Sequence, residues 1–120
     1  MACENETVKK IFRALDSKKA KDIMVLDIST LTTMADYFII ATGGSDRQVK
    51  ALCDHVEETL AKEEIFPGNK EGYRTGEWVL LGYDEAIVHI FQSEPREFYN
   101  LERIWKDAAE VDMSAEKTED

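Results

Sequence analysis

The stretch DYFIIATGGSDRQVKAL, Asp36 to Leu52, passes from an apolar run through two glycines into a helix start. That is the layout of many phosphate sites, in which backbone N–H groups at a helix N-terminus cradle the anion. The residues around it do not complete such a site. A P-loop needs a Lys and a Ser or Thr after a longer glycine loop, and a dinucleotide fingerprint needs GxGxxG; neither is present. Ser45 to Gln48 instead reads S-x-x-Q, a capping box. The Ser45 hydroxyl accepts from the Gln48 amide while the Gln48 side chain reaches back, and Gly43 and Gly44 free the chain to leave the strand. A nucleotidyltransferase would follow its Gly-Ser turn with two alternating carboxylates on a strand to hold metal. At that distance this chain carries CDHVEE, Cys53 to Glu58, on a helix, with Asp54 and Glu57 three apart on its solvated side. The metal cradle is missing, and a structural turn is the expectation.

The remaining reactive side chains do not assemble either. His55 and His89, the two histidines, lie outside HExxH or any similar spacing. His89 falls among Ile87, Val88, Ile90 and Phe91 in a strand, where a hydrogen-bonded structural histidine is the commoner outcome. Cys53 sits on the apolar face of a helix, where a buried thiol is inert. Asp84 and Glu85 are at a hairpin tip and suit a turn. No nucleophile, base and orienting group come together, so no catalytic residue, metal ligand or cofactor site is expected.

The elements that position these residues follow from the apolar pattern. At 120 residues the chain has room for one domain. No apolar run approaches a membrane span, no signal peptide is evident at the N-terminus, and Cys3 and Cys53 form no CxxC pair; a reduced, cytoplasmic location is expected. The net charge of −10 opposes binding to phosphate backbones, and no Lys/Arg run offsets it. A sequence-specific nucleic-acid contact is therefore not expected. A basic protein surface is the natural partner, although such acidity also serves simple solubility.

Val8, Ile11, Phe12 and Leu15 predict a helix over 6–17. Asp22–Ile28 and Asp36–Thr42 are apolar at successive positions, as in strands covered on both faces. Val49, Leu52, Cys53, Val56 and Leu60 mark a second helix. Phe66 to Gly76 reads as a loop with space for a short edge strand. Glu77–Tyr83 and Ala86–Gln92 read as strands around a turn at Asp84–Glu85. A last helix opens near Ser93–Pro95 and places Phe98, Leu101 and Trp105 on one face. The acidic residues 111–120 have no apolar period and are expected to be a disordered tail behind a domain of residues 1–110. The fold class is α/β, a single domain with a mixed sheet flanked by helices.

Three segments, Ala35 to Val56, Glu71 to Phe91 and Arg96 to Ala108, together resemble the ribosomal silencing factor family, also called Iojap-like proteins. The ordered match covers nearly the whole chain. The resemblance implies a nucleotidyltransferase-like core without its active site, consistent with the carboxylate spacing above. It also implies a non-enzymatic factor that binds the large ribosomal subunit through its protein number fourteen, where the small subunit docks. Subunit joining would be blocked and translation repressed when nutrients are scarce. A homodimer in isolation is implied as well. The alternative is a nucleotide-handling enzyme on the same core.

Carried over by position, the resemblance implies a partner-binding set of Trp78, Leu80, Tyr83, Arg96 and Tyr99. At the hairpin the family reads Asp-Tyr-Gly-Asp whereas this chain reads Gly82-Tyr83-Asp84-Glu85, so any contact of the first Asp is lost at Gly82. In the strand, Trp78, Leu80 and Gly82 point one way and Glu77, Val79, Leu81 and Tyr83 the other. Both sides carry apolar residues, so alternation alone does not say which is covered. The resemblance favours Trp78 and Leu80 as an open apolar patch.

Overall fold

Asn5 starts the first helix by accepting the Val8 N–H on its side chain, and α1 (Glu6–Ser17) then buries Val8, Ile11, Phe12 and Leu15. The computed structural model describes residues 5–117; Cys3 and the last three residues of the acidic tail lie outside the described residues. After α1 come β1 (Lys21–Asp27), β2 (Tyr37–Gly43), α2 (Asp46–Ala61), β3 (Asn69–Glu71), β4 (Trp78–Gly82) and β5 (Ala86–Gln92). The chain continues through α3 (Ser93–Tyr99), α4 (Leu101–Ile104), β6 (Ala109–Glu110) and a 3-10 turn at Ser114–Glu116.

The six strands form one mixed sheet in the order β3-β4-β5-β2-β1-β6. The β2–β5 pair is parallel and the other pairings are antiparallel. The parallel pair lies at the centre because α2, β3 and β4 supply the long crossover that parallel strands require. β2 is buried along nearly its whole length, as its unbroken apolar run predicts. β3 is the short edge strand for which the 66–76 loop left space.

Two apolar layers sandwich the sheet. On one face Val25, Ile39, Ala41, Val79, Leu81, Val88 and Ile90 pack against α1 and α2. On the other, Leu26, Phe38, Ile40 and Phe91 are covered by a thinner layer from Leu101, Trp105 and Ala108. This second layer leaves the β4 end of the sheet only partly covered, and that asymmetry positions the candidate site.

The C-terminal segment departs from the sequence expectation at two points. The last helix is not continuous, because Asn100 adopts a left-handed conformation (φ 46°, ψ 62°) that ends α3. Asn tolerates that region, and its side chain then accepts the Arg103 N–H to start α4. The break separates Phe98 from Leu101 and Trp105. Phe98 is 82% exposed while the other two pack on the sheet.

The second departure is the acidic stretch, whose described residues, 111–117, lie against the body. β6 extends the sheet beside Leu26 and Asp27, the Val111 N–H donates to the Val25 carbonyl at 2.8 Å, and Met113 is buried. Glu116 pairs with Arg13 of α1. Isolated apolar residues do this anchoring, so no periodicity announces it.

Candidate functional site

The glycine turn is built as a helix start. Ser45 Oγ accepts the Gln48 N–H at 3.1 Å, and Gln48 Oε1 accepts the Gly44 N–H at 2.5 Å, one residue earlier than an ideal capping box. Two donors that an anion would use are thus already bonded. Gly43 serves close packing: a Cβ there would come within 2.9 Å of the Val49 side chain. Among the described residues, no three carboxylates beside Ser45 come close enough to one another to share one ion. Among the described residues, the His/Cys/Asp/Glu group able to converge on one ion is Cys53, Asp54 and Glu57, on a single turn of α2. Its members have other partners. Glu57 pairs with Lys70 at 2.7 Å, Asp54 accepts from the Tyr73 hydroxyl at 3.0 Å, and burial, reinforced by Glu57, pushes the Cys53 thiol up to about 12. His55, on the same turn, has its Nε2 3.2 Å from the Ser17 hydroxyl at the end of α1.

The open end of the sheet is different in character. On β4, Val79 and Leu81 are buried under the long helices, while Trp78 and Leu80 face the thin layer and remain partly exposed. The Trp78 ring stacks on its cross-strand partner Phe91 at 4.8 Å, and the Tyr99 ring leans on it at 4.7 Å. The indole N–H donates to His89 Nδ1 at 3.1 Å. Tyr99 is 47% exposed, and Phe98 beside it sets its ring edge-on at 5.1 Å. Next to these rings lies a groove of about 770 Å³ edged by Asp46, Glu77, Glu94 and Glu97. The result is an aromatic patch with an acidic border.

Of the five residues carried over from the resemblance, Trp78, Leu80 and Tyr99 share this face. The structure places the other two elsewhere. Tyr83 is 6% exposed on the helix-covered side, in line with Val79 and Leu81, and its buried hydroxyl finds no hydrogen-bond partner among the described residues. Burial raises its phenol above the ordinary range. Strand alternation puts it there: five residues after Trp78, it points the opposite way. Arg96 turns inward. Its Nη1 donates to the Asp22 carbonyl at 2.6 Å and Thr42 Oγ1 at 2.7 Å, its Nε donates to Glu102, and its side chain is 10% exposed. It locks α3 and α4 onto the ends of β1 and β2. Tyr83 is thus turned into the core, and the Arg96 guanidinium is committed to bonds within the fold.

Phe98 and the carboxylate border were not singled out from sequence. Glu94 and Glu97 stand one helical turn apart, which a helical wheel shows, but Glu77 and Asp46 join them only through the sheet.

His89 is the structural histidine expected, 4% exposed, with its ring edge-on to Phe38 at 4.8 Å. Burial lowers its pKa to about 4. Between about 6.5 and 4 the unfolded chain therefore takes up a proton that the folded chain refuses, so stability falls as pH drops through this window. Relative to pH 7.5, the loss from this group at pH 5 is on the order of 2 kcal/mol. Urea unfolding of the wild type and His89→Leu at both pH values isolates it. The wild type is expected to lose more stability than the variant, and equal losses would mean that His89 titrates normally.

A family model described as "Ribosomal silencing factor during starvation" matches residues 2–120. A Bacillus subtilis protein named ribosomal silencing factor RsfS is 37% identical over 100 residues, covering 83% of this chain and 85% of that one. A Chromobacterium violaceum protein of the same name is 39% identical, covering 83% and 82%. The maize protein named Iojap, chloroplastic, is 30% identical over 84% of this chain and 44% of its own length. Among solved structures, a Chromobacterium violaceum crystal structure superposes with a TM-score of 0.82 at 39% identity, covering 84% of each chain. One from Bacillus halodurans gives 0.81 at 30% identity, covering 90% and 98%.

Proposed function

The chain belongs to the ribosomal silencing factor family, and on that premise we propose that it represses translation by occupying the large ribosomal subunit. The docking point is protein number fourteen of that subunit, on the face that meets the small subunit, and occupancy blocks joining. Trp78, Leu80 and Tyr99 supply the apolar contact, and Asp46, Glu77, Glu94 and Glu97 face the partner's basic residues. The observation that supports this most is the partly covered aromatic end of the sheet with its acidic border. Large aromatic side chains with a polar rim are the usual makeup of an interface core, and charge complementarity speeds the encounter. A chain of net charge −10 suits a basic ribosomal protein better than ribosomal RNA. Arg96 supports the surface from within by fixing the helix that carries Tyr99.

The protein acts by occupancy rather than catalysis, in the cytoplasm where bacterial ribosomes work. Among the described residues no helix is long and apolar enough to cross a membrane. Calorimetry with ATP, CTP or GTP plus magnesium is expected to give no heat of binding at millimolar ligand. Tight, magnesium-dependent binding would instead revive the nucleotide-handling alternative.

Co-sedimentation with isolated subunits tests the partner. The protein should pellet with large subunits, less so as salt rises, and not with small ones. Retention by small subunits alone, or by neither, would end the proposal. In isolation the chain is proposed to be a homodimer, the commonest symmetric assembly. Light scattering should give twice the 13.7 kDa chain mass, and a clean monomer at micromolar concentration would contradict this.

A further inference from the structure

His89 is a polar residue where an apolar one would pack without penalty. It lies on β5 diagonally across from Trp78, whose direct partner is Phe91, and its ring is enclosed by Phe38, Phe91 and Trp78. The indole is a donor only, so Nδ1 must be the acceptor in the 3.1 Å bond between them. In the neutral ring the proton then resides on Nε2. That atom is buried with no hydrogen-bond partner among the described residues. An unpaired buried N–H is destabilising, and Leu or Phe at this position would avoid it. What the imidazole adds is one acceptor, aimed at one ring, with its own plane fixed edge-on by Phe38.

The geometry assigns to His89 the role of a positioning residue: its Nδ1 holds the Trp78 indole at the angle in which it meets the large-subunit protein. This rests on the partner surface proposed above. Without the bond, the indole keeps its stacking on Phe91 but is free to rotate about its side-chain torsions. Binding then has to restore the ordered orientation, which weakens affinity without removing any direct contact. Tyr99, which leans on the same ring, then rests on a less firmly oriented platform.

Three variants separate this role from simple packing. His89→Leu fills the site and removes the acceptor. His89→Asn keeps an acceptor, since Asn Oδ1 occupies about the place of Nδ1, but buries more unpaired polar atoms. Trp78→Ala removes the contact itself. Thermal stability should rank Leu above Asn, whereas affinity for large subunits should rank Asn above Leu, with His89→Leu about tenfold weaker than wild type. In 15N-labelled protein the Trp78 indole signal should exchange faster with solvent in His89→Leu and stay protected in His89→Asn. If affinity follows stability, or if His89→Leu binds like wild type while Trp78→Ala does not bind, the positioning role is overturned and the surface stands. If Trp78→Ala also binds like wild type, the surface itself is overturned. Should His89→Leu fail to fold, His89→Asn still decides, because near-wild-type affinity in a destabilised variant supports the role and a tenfold loss contradicts it.

Discussion

Trp78→Ala is expected to abolish detectable binding to the large subunit while the protein stays folded. A tryptophan at the centre of an interface typically contributes ~2 kcal/mol or more when truncated. That corresponds to roughly a thirtyfold loss of affinity. Here the truncation also removes the platform under Tyr99, so two contacts are lost together. The fold should survive because Trp78 belongs to the thin layer. Val79 and Leu81, its neighbours on β4, carry the packing against α1 and α2 and are untouched. The change still loses the stack on Phe91 and leaves His89 Nδ1 without its donor. A destabilisation of about 2 kcal/mol follows. A fully enclosed tryptophan would instead cost about 3–5 kcal/mol. Circular dichroism with thermal melting reports the fold, and co-sedimentation reports the contact. A variant that melts tens of degrees lower would make Trp78 a core residue. One that stays folded and binds like wild type would remove it from the interface.

Arg96→Met should give the larger loss of stability, about 3 kcal/mol, because it breaks a partly buried ion pair and several hydrogen bonds at once. Methionine keeps the apolar stem but supplies none of the donors. The Thr42 hydroxyl is buried, and Glu102 already has one buried oxygen without a partner. Both would be stranded, and the exposed Asp22, held at φ 50°, would lose the donor to its carbonyl. The effect should concentrate in the segment Arg96 pins. Hydrogen exchange should therefore speed up over residues 93–110 more than in α1 or α2. Binding falls too, because Tyr99 rides on α3. If Arg96→Met melts like wild type yet no longer binds, the guanidinium is a contact and not a fastener. That would restore the role the family resemblance suggested for it.

Much of this architecture was legible in the residues, for identifiable reasons. The long helices show because their buried faces repeat at 3.6, and β2 because a strand covered on both sides needs no polar positions. The glycine turn was readable because Ser45 and Gln48 stand at capping-box spacing. What failed to show was set by single residues without a period. Asn100 alone bends the last helix and throws Phe98 outward, and Val111, Met113 and Glu116, each without a period, dock the acidic stretch. The two faces of β4 are equally apolar, so alternation correctly separated Tyr83 from Trp78 without saying which side the helices cover. That depended on where α1 and α2 cross the sheet. The internal bonds of Arg96 did not show for a related reason: an arginine near a helix start suits a surface anchor as well as an internal clamp. The carbonyl and hydroxyl that claim it are more than fifty residues away in the chain.

Occupancy of the large subunit is proposed to keep the subunits apart. Purified large and small subunits, mixed under joining conditions with increasing amounts of the protein, can be separated on a density gradient. Joined particles are expected to decline as the protein rises, the protein to travel with free large subunits, and Trp78→Ala to have neither effect. Joined particles undiminished at saturating protein, or protein migrating with them, would contradict it.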